Sequence, residues 1–246
     1  MNPDADGAAF VTRYFEHVAA DDMAGWPQSQ AEEIAVGHRD FAAVRPAGVP
    51  KVRVFASPTH PRHAVIEIVT DDMPFLVDSV TQELASKDVA IHLLVHPQFV
   101  VKRDLHGRLL AVSGTLDAHD APKDALVESW MHLEVAGLAD QNAEENLRRD
   151  IVRVLQDVRD AVEDWPRMRA HAARAADELH AEPPLAVPEA ENNEAVEFLR
   201  WLADDHFTFL GYREYRLVDD DGVDALAAVS GTGLGILRAD KRGRGR

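Results

Sequence analysis

The chain has 246 residues, 46% of them hydrophobic, which is enough for one large or two small domains with a real core. A net charge of −17 argues against nucleic acid as a partner, because phosphates demand clustered Lys and Arg; the one strongly basic run is 241–246, read as a disordered end. The absence of cysteine excludes disulfides and thiolate metal sites, and no apolar run approaches the roughly 20 residues of a membrane span, so a soluble, cytoplasmic protein without a membrane partner is expected.

In chain order, 8–20 and 28–44 predict two short helices separated by Gly25-Trp26-Pro27, and 51–56 predicts a strand closed by the Pro58 and Pro61 loop. A buried strand is expected at 63–70. Leu76, Val77, Val80, Leu84 and Ala85 then fall at helical spacing, which predicts a helix over 74–87 with Asp72 as its cap and Pro74 in its first turn. Strand follows over 89–102, a turn at 104–108, a strand at 109–113 and a polar loop at 115–124.

Residues 127–135 alternate strictly, Val127, Ser129, Met131, Leu133 and Val135 against Glu128, Trp130, His132 and Glu134, as in a strand. The stripe Leu147, Ile151, Val154, Leu155, Val158, Val162 and Trp165 predicts a helix over 142–165, started by Asn142 with Glu145 and continuing to about 180. A Pro/Glu-rich linker spans 181–192. Beyond it, 194–204 reads as helix and the aromatic-rich 206–217 as a core or interface strand, with Trp165 and Trp201 anchoring helix packing.

The order strand–helix–strand–strand–helix predicts an α+β fold, a ferredoxin-like antiparallel sheet packed by helices. The helices over 74–87 and 142–165 are expected on the same sheet face, and 206–217 offers a closing strand. The expected organisation is an N-terminal helical segment at 1–50, the α+β domain at 51–180, the linker at 181–192 and a helix-strand extension at 193–246. That extension is either the closing strand or the start of a second such unit.

Asp72-Met73-Pro74, placed between a strand and a Leu-rich helix, resembles the Asp-x-Pro opening of ACT domains, small ferredoxin-like modules that often bind amino acids. Phe75 stands where those domains usually have glycine. More specifically, EIVTDDMPFLVDSVTQELA, HLLVHPQFVVKRD and EFLRWLADDHFTFLGYREY resemble, in that order, the N-terminal region of the large bacterial NAD-specific glutamate dehydrogenases. The resemblance runs from about Tyr14 to Leu237. It implies an ACT-like fold, the rest of a glutamate dehydrogenase chain as partner, a homo-oligomer, an amino-acid effector, and NAD as cofactor of the parent enzyme.

The corner Asp71, Asp72, Met73, Pro74 and Phe75 has two readings. One is capping and a tight turn. The other is an effector site, in which free N–H groups of the helix's first turn meet a carboxylate and Asp71 meets an ammonium. The first weighs more, because two aspartates repel an anion and Phe75 replaces the glycine that admits a ligand to the backbone.

His92 and His96 share a strand, with His106 and His132 as possible neighbours, but no third metal ligand is evident, so surface or hydrogen-bonded histidines are expected and no metal. Gly231-Thr232-Gly233-Leu234-Gly235 lacks the last glycine and the helix of a dinucleotide loop and reads as a flexible turn. No carboxylate is identifiably paired in an apolar pocket, and no lysine sits in a Gly-rich setting. The chain alone is therefore expected to bind no NAD and catalyse nothing. A regulatory or oligomerisation segment of a glutamate dehydrogenase is the leading reading; the alternatives are a stand-alone amino-acid sensor and a ligand-free interaction module.

Overall fold

The computed structural model describes residues 3–19, 23, 26–113 and 126–238; the expected loop at 115–124 and the basic run at 241–246 lie outside them. Two compact units divide the chain, 1–156 and 157–246, with the boundary inside one long helix.

The first unit begins with α1 (Pro3–Tyr14) and α2 (Gln28–Phe41), the former five residues earlier than the hydrophobic pattern predicts. Then follow β1 (Lys51–Ala56), β2 (His63–Asp71), α3 (Leu76–Ser86), β3 (Ile91–Val95), β4 (Gln98–Arg103), β5 (Leu109–Ser113), β6 (Leu126–Ala136) and the start of α4 (Gln141–Ala181). The six strands make one antiparallel sheet in the order β1-β2-β6-β4-β5, with β3 also on β6. The fold is α+β, as the element order predicts.

The expected strand over 89–102 is two pieces in one register. Val95 faces His132 and Gln98 faces Ser129, three residues along on each strand. Pro97, which has no N–H to give the ladder, lies in the gap, though its carbonyl still accepts from Trp130 N at 3.0 Å.

The edge beside β2 is taken by β1, paired from Lys51 opposite Val69 to Ala56 opposite Ala64, and not by the closing strand expected at 206–217. A hairpin of neighbouring segments closes a short loop, and that is entropically cheaper than recruiting a strand some 140 residues away. Residues 206–217 form no part of this sheet.

Both faces of the sheet are buried, so the alternation in β6 separates two covered faces rather than core from solvent. On one face Val69, Phe99, Val101 and Trp130 pack with Phe10, Tyr14 and Phe15 and with Ala31 and Ala35 of α2. Ring centroids lie 5.4 Å apart for Phe10 and Phe99 and 5.0 Å for Phe99 and Trp130. The other face carries Ile66, Ile68, Met131 and Leu133, all fully buried. It is left to α3, through Leu76, Val80 and Leu84, and to α4, through Leu147, Ile151 and Leu155. Lys87–Asp150 (2.6 Å) and Arg153–Glu83 (3.4 Å) ion pairs join these two helices, as expected for neighbours on one face.

The cap of α4 is Asp140, whose Oδ1 accepts from Ala143 N at 2.9 Å, not the expected Asn142 two residues later. The difference is one of entry: the first i→i+4 bond, Glu144 N to Asp140 O, already forms there.

In the second unit α4 continues past Pro166 to Ala181, and α5 (Glu189–Trp201) follows a loop shorter than the predicted linker. Asn192 Nδ2 donates to Leu179 O at 3.2 Å and ties the two helices. After a kinked turn at Leu202–His206, with Asp205 left-handed (φ 56°), β7 (Gly211–Tyr212) pairs with β10 (Leu234–Gly235). β8 (Tyr215–Asp220) and β9 (Val223–Ala228) form a hairpin of their own. The expected strand at 206–217 is thus broken up, and it is no core strand: Phe207, Leu210, Tyr215 and Leu217 are exposed. Trp201 is also exposed, stacked on Phe198 and His206 rather than anchoring a core.

Candidate functional site

The predicted corner joins β2 to α3. Asp71, the last residue of β2, accepts from Arg45. Asp72 Oδ1 accepts from Gln98 Nε2 at 2.9 Å, and its N–H donates to Val127 O at 2.9 Å. Asp72 therefore does not cap the helix. Met73 and Pro74 intervene, and the N-cap is Phe75, with no side-chain cap bond. Pro74 lies before the helix rather than in its first turn, and the first helical bond is Ser79 N to Phe75 O at 3.0 Å.

Phe75 has φ 71° and ψ 2°, with 41% of its surface exposed. A glycine suits this position because the backbone is left-handed there, a conformation that costs L-residues roughly 1–2 kcal/mol. The glycine expected from the resemblance would thus serve the turn as well as any ligand's approach.

Behind the corner, on the face covered by α1 and α2, lies a buried ionic network. Arg45 and Glu128 are both 0% exposed. Arg45 Nε and Nη2 donate to Glu128 Oε1 at 2.9 and 2.7 Å. Arg103 embraces the same carboxylate from the other side, Nε to Oε1 at 2.6 Å and Nη2 to Oε2 at 2.8 Å, and Trp130 Nε1 adds a bond of 3.0 Å.

Strand register creates this meeting, since Asp71 of β2 stands opposite Glu128 of β6. Gly107 completes it: at φ 77° its carbonyl accepts from Arg45 N and Arg103 Nη1, both at 2.9 Å, and a Cβ there would meet Arg45 O at 2.2 Å. Burial pushes the Glu128 carboxyl upward, but the Arg103 hydrogen bond, the Arg45 charge and the Trp130 bond outweigh it and hold the group below its ordinary value.

A second network lies four residues further along both strands, where Glu67 stands opposite His132. Glu67 accepts from Arg53 Nε at 2.6 Å and from His132 Nδ1 at 3.3 Å. Burial raises the Glu67 carboxyl, yet the His132 hydrogen bond and the Arg53 charge keep it below its usual range. Next to it, His38 Nδ1 is 2.7 Å from the Tyr14 hydroxyl. Burial, helped by the His132 and Arg53 charges and against the pull of Glu67, drives His38 down to about 3, so it is a neutral imidazole that accepts from Tyr14. A cleft of about 170 Å³ opens above, lined by Ile34, Arg53, Val65, Glu67, His132 and Glu134. His132 Nε2 is buried there with no partner, so the cleft offers recognition by charge and hydrogen bond.

These residues escaped the sequence reading, which found no paired buried carboxylate. The signal was present: Glu67, Glu128 and Glu134 interrupt apolar strand runs, and a carboxylate inside such a strand demands a cationic partner. Of the predicted histidines, His96 hydrogen-bonds the Ser129 hydroxyl, while exposed His92 stacks on His63. The two are not brought together.

The Gly231–Gly235 run doubles back on its own backbone. A Cβ on Gly233 would meet Leu237 O at 2.1 Å, and one on Gly235 would meet Leu210 O at 2.2 Å. The run leads into the two-residue β10 and a turn, with no helix after it among the described residues.

Residues 10–151 match the family described as "Glutamate dehydrogenase, ACT1 domain". The chain is 39% identical over 179 residues to the NAD-specific glutamate dehydrogenase of Halomonas elongata, covering 73% of this chain and 11% of that protein. With the protein of the same name from Pseudomonas aeruginosa it shares 34% identity over 200 residues, 79% of this chain and 12% of that one. A third of that name, from Mycobacterium tuberculosis, is 26% identical over 181 residues, 74% and 11% of the two chains. The chain thus spans about one-ninth of the length of these relatives. It belongs to the glutamate dehydrogenase ACT1 domain family.

Proposed function

We propose that the chain is the N-terminal regulatory and assembly segment of an NAD-dependent glutamate dehydrogenase of the cytoplasm, which oxidises L-glutamate to 2-oxoglutarate and ammonium. Its partners are the rest of that enzyme and further copies of itself. The carrying observation is the family match over 10–151, the α+β unit whose buried ions already satisfy one another. Arg45, Arg53 and Arg103 are engaged by Glu67, Glu128 and Asp71, so this unit offers rigidity and recognition rather than a reaction centre. NAD belongs to the parent enzyme, a reading supported by relatives that are named NAD-specific glutamate dehydrogenases.

The test is an assay of the purified chain with glutamate and NAD, read by absorbance of reduced cofactor, beside the full-length enzyme. Turnover only in the full-length enzyme is expected. Turnover by the chain alone, free of host dehydrogenase, overturns the reading.

A second reading, an amino-acid effector bound at Asp71–Phe75, is supported by the first turn of α3, whose N–H groups meet no side-chain cap. A ligand carboxylate would sit on them, with Asp72 beside its ammonium in place of Asp71, which Arg45 engages. Calorimetry with the common amino acids should then give saturable heat that Asp72→Ala removes; no heat from any of them discards this reading.

A further inference from the structure

A cluster of histidines at one end of the sheet is used by neither ionic network. The loop after β1 closes through His63 N to His60 O at 2.8 Å, a turn that sets residues three apart side by side. His60-Pro61-Arg62-His63 thereby presents two imidazoles together. Antiparallel register puts Glu134 opposite Val65, on the sheet face that His63 shares two residues away.

His60 Nδ1 and His63 Nδ1 consequently lie 3.7 and 3.6 Å from Glu134 Oε2, and the three ligand atoms all fall within 4.8 Å of one another. These separations are too long for hydrogen bonds. Glu134 is only 5% exposed, and His63 Nδ1 is buried with no hydrogen-bond partner. A buried carboxylate facing an unsatisfied imidazole nitrogen calls for something between them. One divalent ion compensates the carboxylate and satisfies His63 Nδ1, while His60 Nδ1, now 3.1 Å from the Thr59 hydroxyl, would exchange that contact for the ion.

We propose that His60, His63 and Glu134 form a transition-metal site, best matched to zinc. Two imidazoles and one carboxylate are a zinc donor set, with bonds of about 2.0–2.2 Å. Tetrahedral bonds of that length hold neighbouring donor atoms roughly 3.3 Å apart, so small side-chain rotations would close the observed gaps. Magnesium and calcium, which take oxygen donors, do not suit the imidazoles. His92, stacked on His63 at 4.2 Å and 15°, fixes the plane of that ring and is a positioning residue. The ion would tie the β1–β2 loop to β6. Its fourth position would be left to water or an outside ligand, and Glu134 itself lines the cleft above Glu67.

The experiment is calorimetric titration of the untagged, metal-stripped 246-residue chain with zinc, repeated with cobalt followed by visible absorbance. One saturable site is expected, with the intense visible bands of tetrahedral cobalt and a zinc-dependent rise in Tm that a chelator reverses. His60→Ala, His63→Ala and Glu134→Gln should each weaken zinc binding by about tenfold or more, and His106→Ala should leave it unchanged. His60 is exposed, so His60→Ala keeps the fold, as far-UV circular dichroism can verify; it should lose both the cobalt bands and the Tm rise. Two outcomes overturn the site: no saturable binding, or binding that His60→Ala and His63→Ala leave unchanged, which would mark scattered surface histidines only.

Discussion

Glu128 is the residue on which the most partners converge, and its removal should cost most. Glu128→Gln leaves the guanidinium groups of Arg45 and Arg103 in a buried site without their shared counter-charge. Breaking a buried pair from one side destabilises by about 3–5 kcal/mol, and urea unfolding should show a loss in that range. A change under about 1 kcal/mol would mean that water reaches the network. His38 sets a pH dependence. Its pKa is about 6.5 unfolded and about 3 folded, so below pH 6.5 the unfolded chain binds a proton that the native chain refuses. Stability from this group is therefore whole above pH 6.5 and falls as pH drops toward 3, with a slope of up to about 1.4 kcal/mol per pH unit. Glu67 and Glu128, both held low, add their own losses only at more acid pH, below their ordinary carboxylate range. His38→Gln should flatten the profile between pH 6.5 and 5; an unchanged slope there would place its origin elsewhere.

At the scale of elements, the helix starts separate two aspartates that look alike in sequence. Asp140→Ala removes a real cap and should destabilise by about 0.5–2 kcal/mol. Asp72→Ala removes only a hydrogen bond to the exposed side of Gln98 and should cost less than about 0.5 kcal/mol. Equal costs would contradict the placement of both. The turn before α3 offers a sharper comparison, since Phe75→Gly and Phe75→Ala delete the same aromatic surface but differ in tolerance of a φ of 71°. The glycine variant should be more stable than the alanine variant by about 1 kcal/mol, and thermal unfolding of the pair reads that difference directly.

At the scale of the molecule, the first unit is a sheet clamped between two helical layers, and each layer is held differently. The α1–α2 side combines aromatic packing with ions, while the α3–α4 side is mostly aliphatic. Leu76→Ala and Leu155→Ala, one on each helix of the aliphatic side, should each cost about 2–5 kcal/mol through the cavity they leave. Denaturant unfolding should register both, and a loss below about 1 kcal/mol at either would remove that residue from the core. The second unit has its own ionic centre in Asp164, which accepts from Gly235 N and Arg238 Nε at 2.9 Å each. The Arg238 hydrogen bond outweighs burial and draws the Asp164 carboxyl down. Among the described residues no helix is long and apolar enough to cross a membrane.

The sequence by itself determined the elements whose signals are local. The stripe from Leu147 to Val158 and the apolar runs at 63–70 and 127–135 specified helix and strands, because periodicity follows from the backbone alone. The resemblance carried by its quoted blocks pointed to the family. What only the tertiary structure decided were matters of register and long-range meeting. Arg45 and Glu128 are 83 residues apart in sequence, and His60 and Glu134 are 74 apart; nothing local brings either pair together. Whether β1 or a distant C-terminal strand would close the sheet was likewise a contest between loop entropies and edges, invisible in any one segment. The left-handed backbone at Phe75 belongs to the same class, since a residue type that disfavours the conformation can be held in it only by the packing around it.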